Sequence, residues 1–448
     1  MTDRVSAELG HRRVLKIAVP IVLANATVPL LGFMDTGVVG QLGLAAPIGA
    51  VGIGAISLTA IYWIFGFLRM GTTGLTSQAH GAGDQDEIQA MLMRVLMSGL
   101  SAGLVLVLLQ APLMWAVFRI SPASPEVESL ARDYISIRLF SAPAAISIYG
   151  MTGWLIALER TRAVLALQIW MNGLNVVLDV WFVLGNGWGV SGVAIASLLS
   201  EWSGLALGLW LCRAGFQAGA WRNWARIFDL IRLRRMLVVN GDIMVRSMLL
   251  QAAFLSFLFL GAGLGDATLA ANQVLLQFLH ITAYGLDGFA FAAETLVGQA
   301  MGRGNRAALR RAALLTSFWS ALIVLAFAMA FALFGGSIIR LMTTSPEVRE
   351  TALVYLPWLI AAPLVGISSW MLDGIFIGAT RTGDMRRAMV WSVAAYALAV
   401  WILLPAWGNH GLWAAIMVFF AARAVTLGWR YPSLEAAADH EPPARAQA

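Results

Sequence analysis

The chain has 448 residues, 59% of them hydrophobic and 12% charged, where a soluble domain carries about 25% charged residues. Together with a mean hydropathy of +0.77, this excludes an ordinary soluble domain and predicts a chain embedded mostly in a membrane, each crossing taking roughly 20 apolar residues. The net charge of +6 lies in short arginine clusters between apolar runs, which is the pattern of topogenic charge and not of a nucleic-acid surface.

The charged N-terminus (Met1–Lys16) leads into an apolar run longer than a signal-peptide core, which predicts a retained first helix. Apolar windows predict twelve helices: 14–38, 47–70, 89–118, 129–157, 163–184, 192–213, then 236–262, 267–298, 307–334, 348–379, 386–407 and 411–429. Several exceed a minimal span and are expected to tilt or kink. Arg12, Arg13 and Lys16 precede the first. Basic residues follow the fourth (Arg160, Arg162), the sixth (Arg213, Arg222, Arg226, Arg232, Arg234, Arg235), the eighth (Arg303, Arg306, Arg310, Arg311) and the tenth (Arg381, Arg386, Arg387). The alternate loops hold little beyond Arg119 and Arg340. The positive-inside rule then places both termini and the central loop in the cytoplasm. The expected organisation is an N-terminal lobe (1–212), a basic cytoplasmic linker (213–235), a C-terminal lobe (236–430) and a disordered tail (431–448). The lone cysteine, Cys212, cannot form an intramolecular disulfide, and the five histidines show no metal-ligand spacing. No metal or cofactor is expected.

At an offset of 221 residues the second half repeats the first. Leu75–Asp84 (LTSQAHGAGD) aligns with Leu296–Asn305 (LVGQAMGRGN), Ser124–Val127 with Ser345–Val348, Gly153 with Gly374, and Arg160-Thr161 with Arg381-Thr382. Shared apolar composition would match Leu and Ala, not these polar loop signatures. Each half holds six helices and starts on the same side, so the lobes are expected to be related by a pseudo-two-fold axis along the membrane normal. The glycines of the two QAxGxG segments are read as turn formers.

Polar groups fall on two faces. In the fifth span Gln168, Asn172, Asn175 and Asp179 are spaced i, i+4, i+7, i+11. In the eighth, Gln273, Gln277, His280, Tyr284, Asp287 and Glu294 are spaced i, i+4, i+7, i+11, i+14, i+21. Such faces line a cavity or pack on one another. The amides alone are also explained as interhelical glue. Asp35, inside the run GFMDTG, and Asp179 are different, because a mid-membrane carboxylate costs about 2.5–3.5 kcal/mol. Both fall in the outer part of the N-terminal half and are expected to face one cavity there. Two carboxyls in one low-dielectric site can hold a proton between them, titrating as a pair. With the Asn175 carbonyl they can equally ligate Na⁺. Pro20 and Pro29 predict a kinked first helix. In the C-terminal half, Asp242 and Arg246 are spaced for an i, i+4 ion pair, and Asp287 and Asp373 are candidates for a second cation or substrate contact. Arg138 and Glu201 are intramembrane with no role evident from spacing. No HExxH, GxSxG or His/Cys cluster supports an enzyme.

The runs Pro20…Val28-PLLGFMDTGVVG40, Phe67-LRMGTTGLTSQA79, Asn175-VVLDVW181 and Leu286-DGFAFAAE294 resemble the multidrug and toxic compound extrusion (MATE) family, in its DinF-like bacterial branch, and the likeness runs along essentially the whole chain. The resemblance implies an all-α polytopic membrane protein of 6+6 helices with a V-shaped cleft, in a bacterial cytoplasmic membrane. It implies H⁺- or Na⁺-driven antiport of cationic or amphipathic organic compounds by alternating access, as a monomer, with the lipid bilayer and small molecules as its partners and no nucleic acid. The Asp matching Asp35 is then the protonation site, with Asn175 and Asp179 beside it. Pro20 matches the bend of the first helix, and Gln168, Asn172 and Met34 join the cavity or the bending region. Asp287, Asp373, Tyr284 and Gln277 are secondary C-lobe candidates. The wider superfamily also contains lipid-linked oligosaccharide flippases, whose cavities are strongly cationic; here intramembrane acids outnumber intramembrane arginines.

Overall fold

A backbone in hydrocarbon has to satisfy its hydrogen bonds internally, so long apolar runs fold as helices, and the chain is helical almost throughout. The structure, a computed structural model, describes residues 9–439 other than 42, 121–123 and 218. The helices are α1 (His11–Gly40), α2 (Ala45–Ile64), α3 (Gly66–Ala82), α4 (Gln85–Leu108), α5 (Gln110–Ile120), α6 (Pro125–Leu139), α7 (Ala142–Ala157), α8 (Thr161–Asp179) and α9 (Gly189–Leu211). They continue with α10 (Trp224–Ile227), α11 (Leu230–Ala262), α12 (Asp266–Gly302), α13 (Arg306–Met342), α14 (Pro346–Gly378), α15 (Thr382–Trp407) and α16 (Asn409–Ala437). Among the described residues, ten helical stretches are long and apolar enough to cross a membrane, and α6 with α7, bent by 52°, makes an eleventh. The first predicted span is α1, helical without a break through Pro20 and Pro29.

The chain divides into two compact units. One holds Leu23–Thr72 and Asp84–Arg234. The other holds the described residues up to Val22, Thr73–Gly83, and the chain from Arg235 onward. This division departs from chain order in two places. The start of α1 groups with the second half because Gly288 of α12 packs directly on Ala18 and Val22. The end of α3 does so because it crosses α12 at close range. In the first unit α4 packs on α7, α2 on α6, and α9 on α6, α7 and α8. In the second unit α12 packs on α13 and α14, and α15 on α16, around a core that includes Phe257, Phe278, Phe331, Trp413, Phe419 and Phe420.

The duplicated signatures turn out to be duplicated local structures. Asp84 caps α4, accepting from the Glu87 N–H at 3.0 Å, and its counterpart Asn305 caps α13, accepting from Ala308 at 2.9 Å. Ser124 and Ser345 cap α6 and α14. Gly83 (φ 74°) and Gly304 (φ 64°) sit left-handed just before these caps, as a turn requires. Glu159 and Thr380, also 221 apart, are the described non-glycine residues with positive φ, at 59° and 52°. Each is followed by an arginine whose N–H closes the helix end, Arg160 onto the Leu155 carbonyl (2.8 Å) and Arg381 onto Phe376 (3.0 Å).

The glycines of QAxGxG do more than turn. A Cβ on Gly81 would lie 2.1 Å from the Gln299 carbonyl oxygen, and one on Gly302 would lie 2.0 Å from that of Gln78. Equivalent residues of the two repeats thus face each other reciprocally where α3 crosses α12. The arrangement is completed by Arg13, which donates to Gln299 Oε1 at 2.8 Å, and Arg235, which donates to Gln78 Oε1 at 2.6 Å. Gly302→Ala is expected to destabilise the protein by about 1–3 kcal/mol through overpacking. Gly428→Ala, which meets nothing within 4 Å, is expected to leave thermal unfolding in detergent unchanged or slightly raised.

The central linker and the end of the described chain both carry helical structure. The linker forms short turns at Arg213–Phe216 and Ala220–Arg222, then α10, and α11 already begins at Leu230. It is anchored by charge. Arg226 pairs with Asp84 (2.5 Å) and Arg232 with Glu87, while buried Arg94 donates to the carbonyls of Arg226 (2.6 Å) and Ile227 (2.8 Å). At the other end α16 continues through Pro432 to Ala437, into the stretch expected to be disordered. Leu434 and Glu435 are buried there, and Arg306 lies 3.5 Å from Glu435. The remainder of the predicted tail, 440–448, lies outside the described residues.

Candidate functional site

The polar stripe of α8 is docked on α1 within the first unit. Gln168 Nε2 donates to Asn172 Oδ1 (3.2 Å), and Asn172 Nδ2 donates to Thr27 Oγ1 (2.7 Å) and to the Thr27 carbonyl (3.3 Å). About one turn further along, Asn175 stands between the two carboxyls singled out by sequence. Its amide is satisfied at both ends in one orientation. The nitrogen donates to Asp35 Oδ1 (3.1 Å) and Asp179 Oδ2 (3.2 Å), while the oxygen accepts from the Ser197 hydroxyl (3.1 Å) and N–H (3.2 Å) of α9. The Asn175 amide thus brings a carboxyl of α1 and a carboxyl of α8 onto one group. Asn175 and Asp179 are buried, and Asp179 Oδ1 has no partner.

α8 ends at this point. Immediately after Asp179 the backbone widens into a π-helical turn, Val180–Gly185, a local distortion frequent at functional positions. Neither this turn nor Ser197 was visible to spacing arguments; Ser197 is one small residue among several in α9. Arg138 and Glu201, left without a role by sequence, form a two-pronged ion pair, Nη1 to Oε2 at 2.8 Å and Nη2 to Oε1 at 3.0 Å. Arg138 Nη1 also donates to Ser141 Oγ (2.8 Å), and the Tyr62 hydroxyl donates to the Arg138 carbonyl (3.0 Å). Of the remaining candidates on the first helix, Met34 is exposed and Pro20 is buried in the second unit.

The second unit carries a neutral version of the same contact. The positions equivalent to Asp35 and Asn175 are Ser256 and Tyr396, and Ser256 Oγ donates to the Tyr396 hydroxyl at 3.1 Å. The geometry is duplicated and the charge is not. The expected Asp242–Arg246 pair is not formed. Asp242 accepts from Thr382 Oγ1 (3.0 Å) and pairs with Arg386 (2.8 Å) at the start of α15. Arg246 turns instead to Asp373 of α14, which also takes Arg423 of α16. A buried carboxylate on a neighbouring helix is a better partner than one on the same helix that is already satisfied. Arg423 was overlooked, although a lone arginine inside the last apolar run is a signal in itself. On α12 the stripe divides by depth: Gln273, Gln277, His280 and Tyr284 are exposed, Asp287 is half-buried, and Glu294 is buried.

Comparison with known proteins agrees with this architecture. The family model described as MatE matches residues 20–181 and 243–404, one copy in each half. The chain is 38% identical over 425 residues to DNA damage-inducible protein F of Escherichia coli strain K12, with 92% of this chain and 91% of that protein covered. It is 27% identical to a probable multidrug resistance protein NorM of Synechococcus, covering 91% and 90%. Among solved structures, an outward-facing multidrug resistance MATE family transporter of the MOP superfamily superposes with a TM-score of 0.85 at 20% identity, covering 95% of this chain and 96% of that one. The bent form of the Vibrio cholerae transporter VcmN gives 0.85 at 18% identity, covering 97% and 99%. Two copies of one family model, a close relative along the full chain and a shared twelve-helix, two-lobe fold establish that the chain belongs to the MatE family of membrane transporters.

Proposed function

We propose that the protein is a proton-coupled exporter of cationic or amphipathic organic compounds, working by alternating access, with Asp35, Asn175 and Asp179 as the coupling site. The observation that carries this reading is the Asn175 bridge. It holds two carboxyls of different helices together in a buried place, where binding or losing one proton changes the charge of the whole cluster. The relatives named as probable multidrug resistance proteins support drug-like substrates. The exposed polar face of α12, with Gln273, Gln277 and Tyr284, supplies acceptors for a cation.

The proton is preferred to Na⁺ because two carboxyls bridged by one amide in a buried place can hold a proton between them with no further ligand, whereas a hard cation takes a shell of oxygen ligands. The test is efflux of a fluorescent cationic dye from proteoliposomes under imposed gradients. A pH gradient alone is expected to drive it. Export driven by a Na⁺ gradient at zero ΔpH would overturn the assignment in favour of sodium. Asn175→Leu, which keeps the volume and removes the bridge, is expected to reduce ΔpH-driven efflux by about 10- to 100-fold, the usual weight of a group that orients a reacting one.

A further inference from the structure

Three helices of the second unit bring two arginines and one aspartate into a single buried cluster. Arg246 (α11) and Arg423 (α16) both donate to the same oxygen, Oδ2, of Asp373 (α14). Arg423 is 1% exposed, Arg246 7% and Asp373 6%. Two guanidinium groups against one carboxylate leave one positive charge without a counterpart. Among the described residues, Asp373 is the one acid paired with either arginine, and the nearby Asp242 is engaged by Arg386 and Thr382. The ring of Phe419 lies 5.4 Å from the Arg423 guanidinium and offsets part of the charge. An uncompensated charge in such a place is strongly unfavourable.

The hydrogen-bond inventory points the same way. Arg246 Nε, Arg423 Nε and Arg423 Nη1 are buried and have no acceptor, although buried donors are nearly always satisfied. Three unmet donors and one unmatched charge in one cluster are what an anion would engage. The equivalent positions of the first half are Asn25, Thr152 and Trp202, so the feature belongs to the second half alone.

We propose that this cluster is a binding site for a small monovalent anion of the size and charge of chloride or formate. One unit of charge is unbalanced, which sets the valence. Burial of all three side chains favours a small ion over a bulky one. A water molecule is the competing occupant. It can accept the free N–H groups but leaves the charge in place, so the two differ in ion specificity.

The test uses the full chain purified in detergent in sodium gluconate, titrated with chloride, bromide or formate at constant ionic strength. A saturable rise in thermal unfolding temperature with each small anion is expected, together with saturable binding of radioactive chloride at one ion per chain. Arg423→Gln is expected to abolish that binding. Asp373→Asn, which removes the competing carboxylate, is expected to tighten it by about tenfold or more. No saturable chloride binding to the wild-type chain, or an equal rise in gluconate, overturns the proposal. If Arg423→Gln does not fold, the wild-type isotherm and Asp373→Asn decide: chloride affinity unchanged in Asp373→Asn also overturns it.

Discussion

Asp35→Asn is expected to reduce proton-driven dye efflux in everted membrane vesicles to the level of vesicles without the protein, at normal expression and unchanged thermal stability. The substitution is nearly isosteric and keeps an oxygen that can accept from the Asn175 amide, so the local packing survives. What is lost is the ability to exchange a proton. Asp35 and Asp179 are joined through Asn175, so Asp179→Asn is expected to have the same outcome and the double substitution to add little. Groups that work as one unit lose the function with the loss of either. Dye binding measured without a gradient is expected to persist in both variants, which separates loss of coupling from loss of substrate recognition. Undiminished efflux by Asp35→Asn would remove this site from the mechanism.

The site was legible in the sequence where electrostatics left little choice. A carboxylate inside an apolar run is costly wherever the helix lies, so Asp35 and Asp179 stood out before any fold was known, and helical spacing put Asn172 and Asn175 on the face of Asp179. The duplication was equally plain because polar loop residues have no compositional reason to recur at one offset. The structure gives those matches a cause in caps, left-handed turns and the Gly81–Gly302 crossing. Partner choice across helices was not legible. Spacing proposed Arg246 for Asp242, and burial gave it to Asp373, because the strength of an ion pair depends on desolvation that a one-dimensional pattern does not contain. For the same reason Ser197, a small residue in a helix full of small residues, acquires meaning only from the amide it faces. The sharing of α1 between two packed units, after Val22, is likewise a property of neighbours and not of Pro20 or Pro29.

The second large effect is expected at Arg138. Its guanidinium and the Glu201 carboxylate are both mostly buried, with side-chain exposures of 12% and 17%, and they meet at 2.8 Å. Arg138→Met leaves the Glu201 carboxyl without its partner in a low-dielectric place, which costs about 3–5 kcal/mol. That is a large fraction of the total stability of a folded domain. The variant is expected to unfold at markedly lower temperature in detergent and to be poorly retained in the membrane. Replacing both residues, Arg138→Met with Glu201→Leu, removes the charges together and is expected to recover most of the stability, since a buried pair is often no better than apolar groups of similar volume. The pair's influence on the neighbouring carboxyls is a separate matter. Arg138 and Glu201 carry opposite charges in one ion pair, so removing them together leaves the net charge of the unit unchanged. A folded double variant with intact ΔpH-driven efflux would therefore assign Arg138 and Glu201 to structure. A folded double variant with shifted pH dependence of efflux would instead place them within the electrostatics of the coupling site.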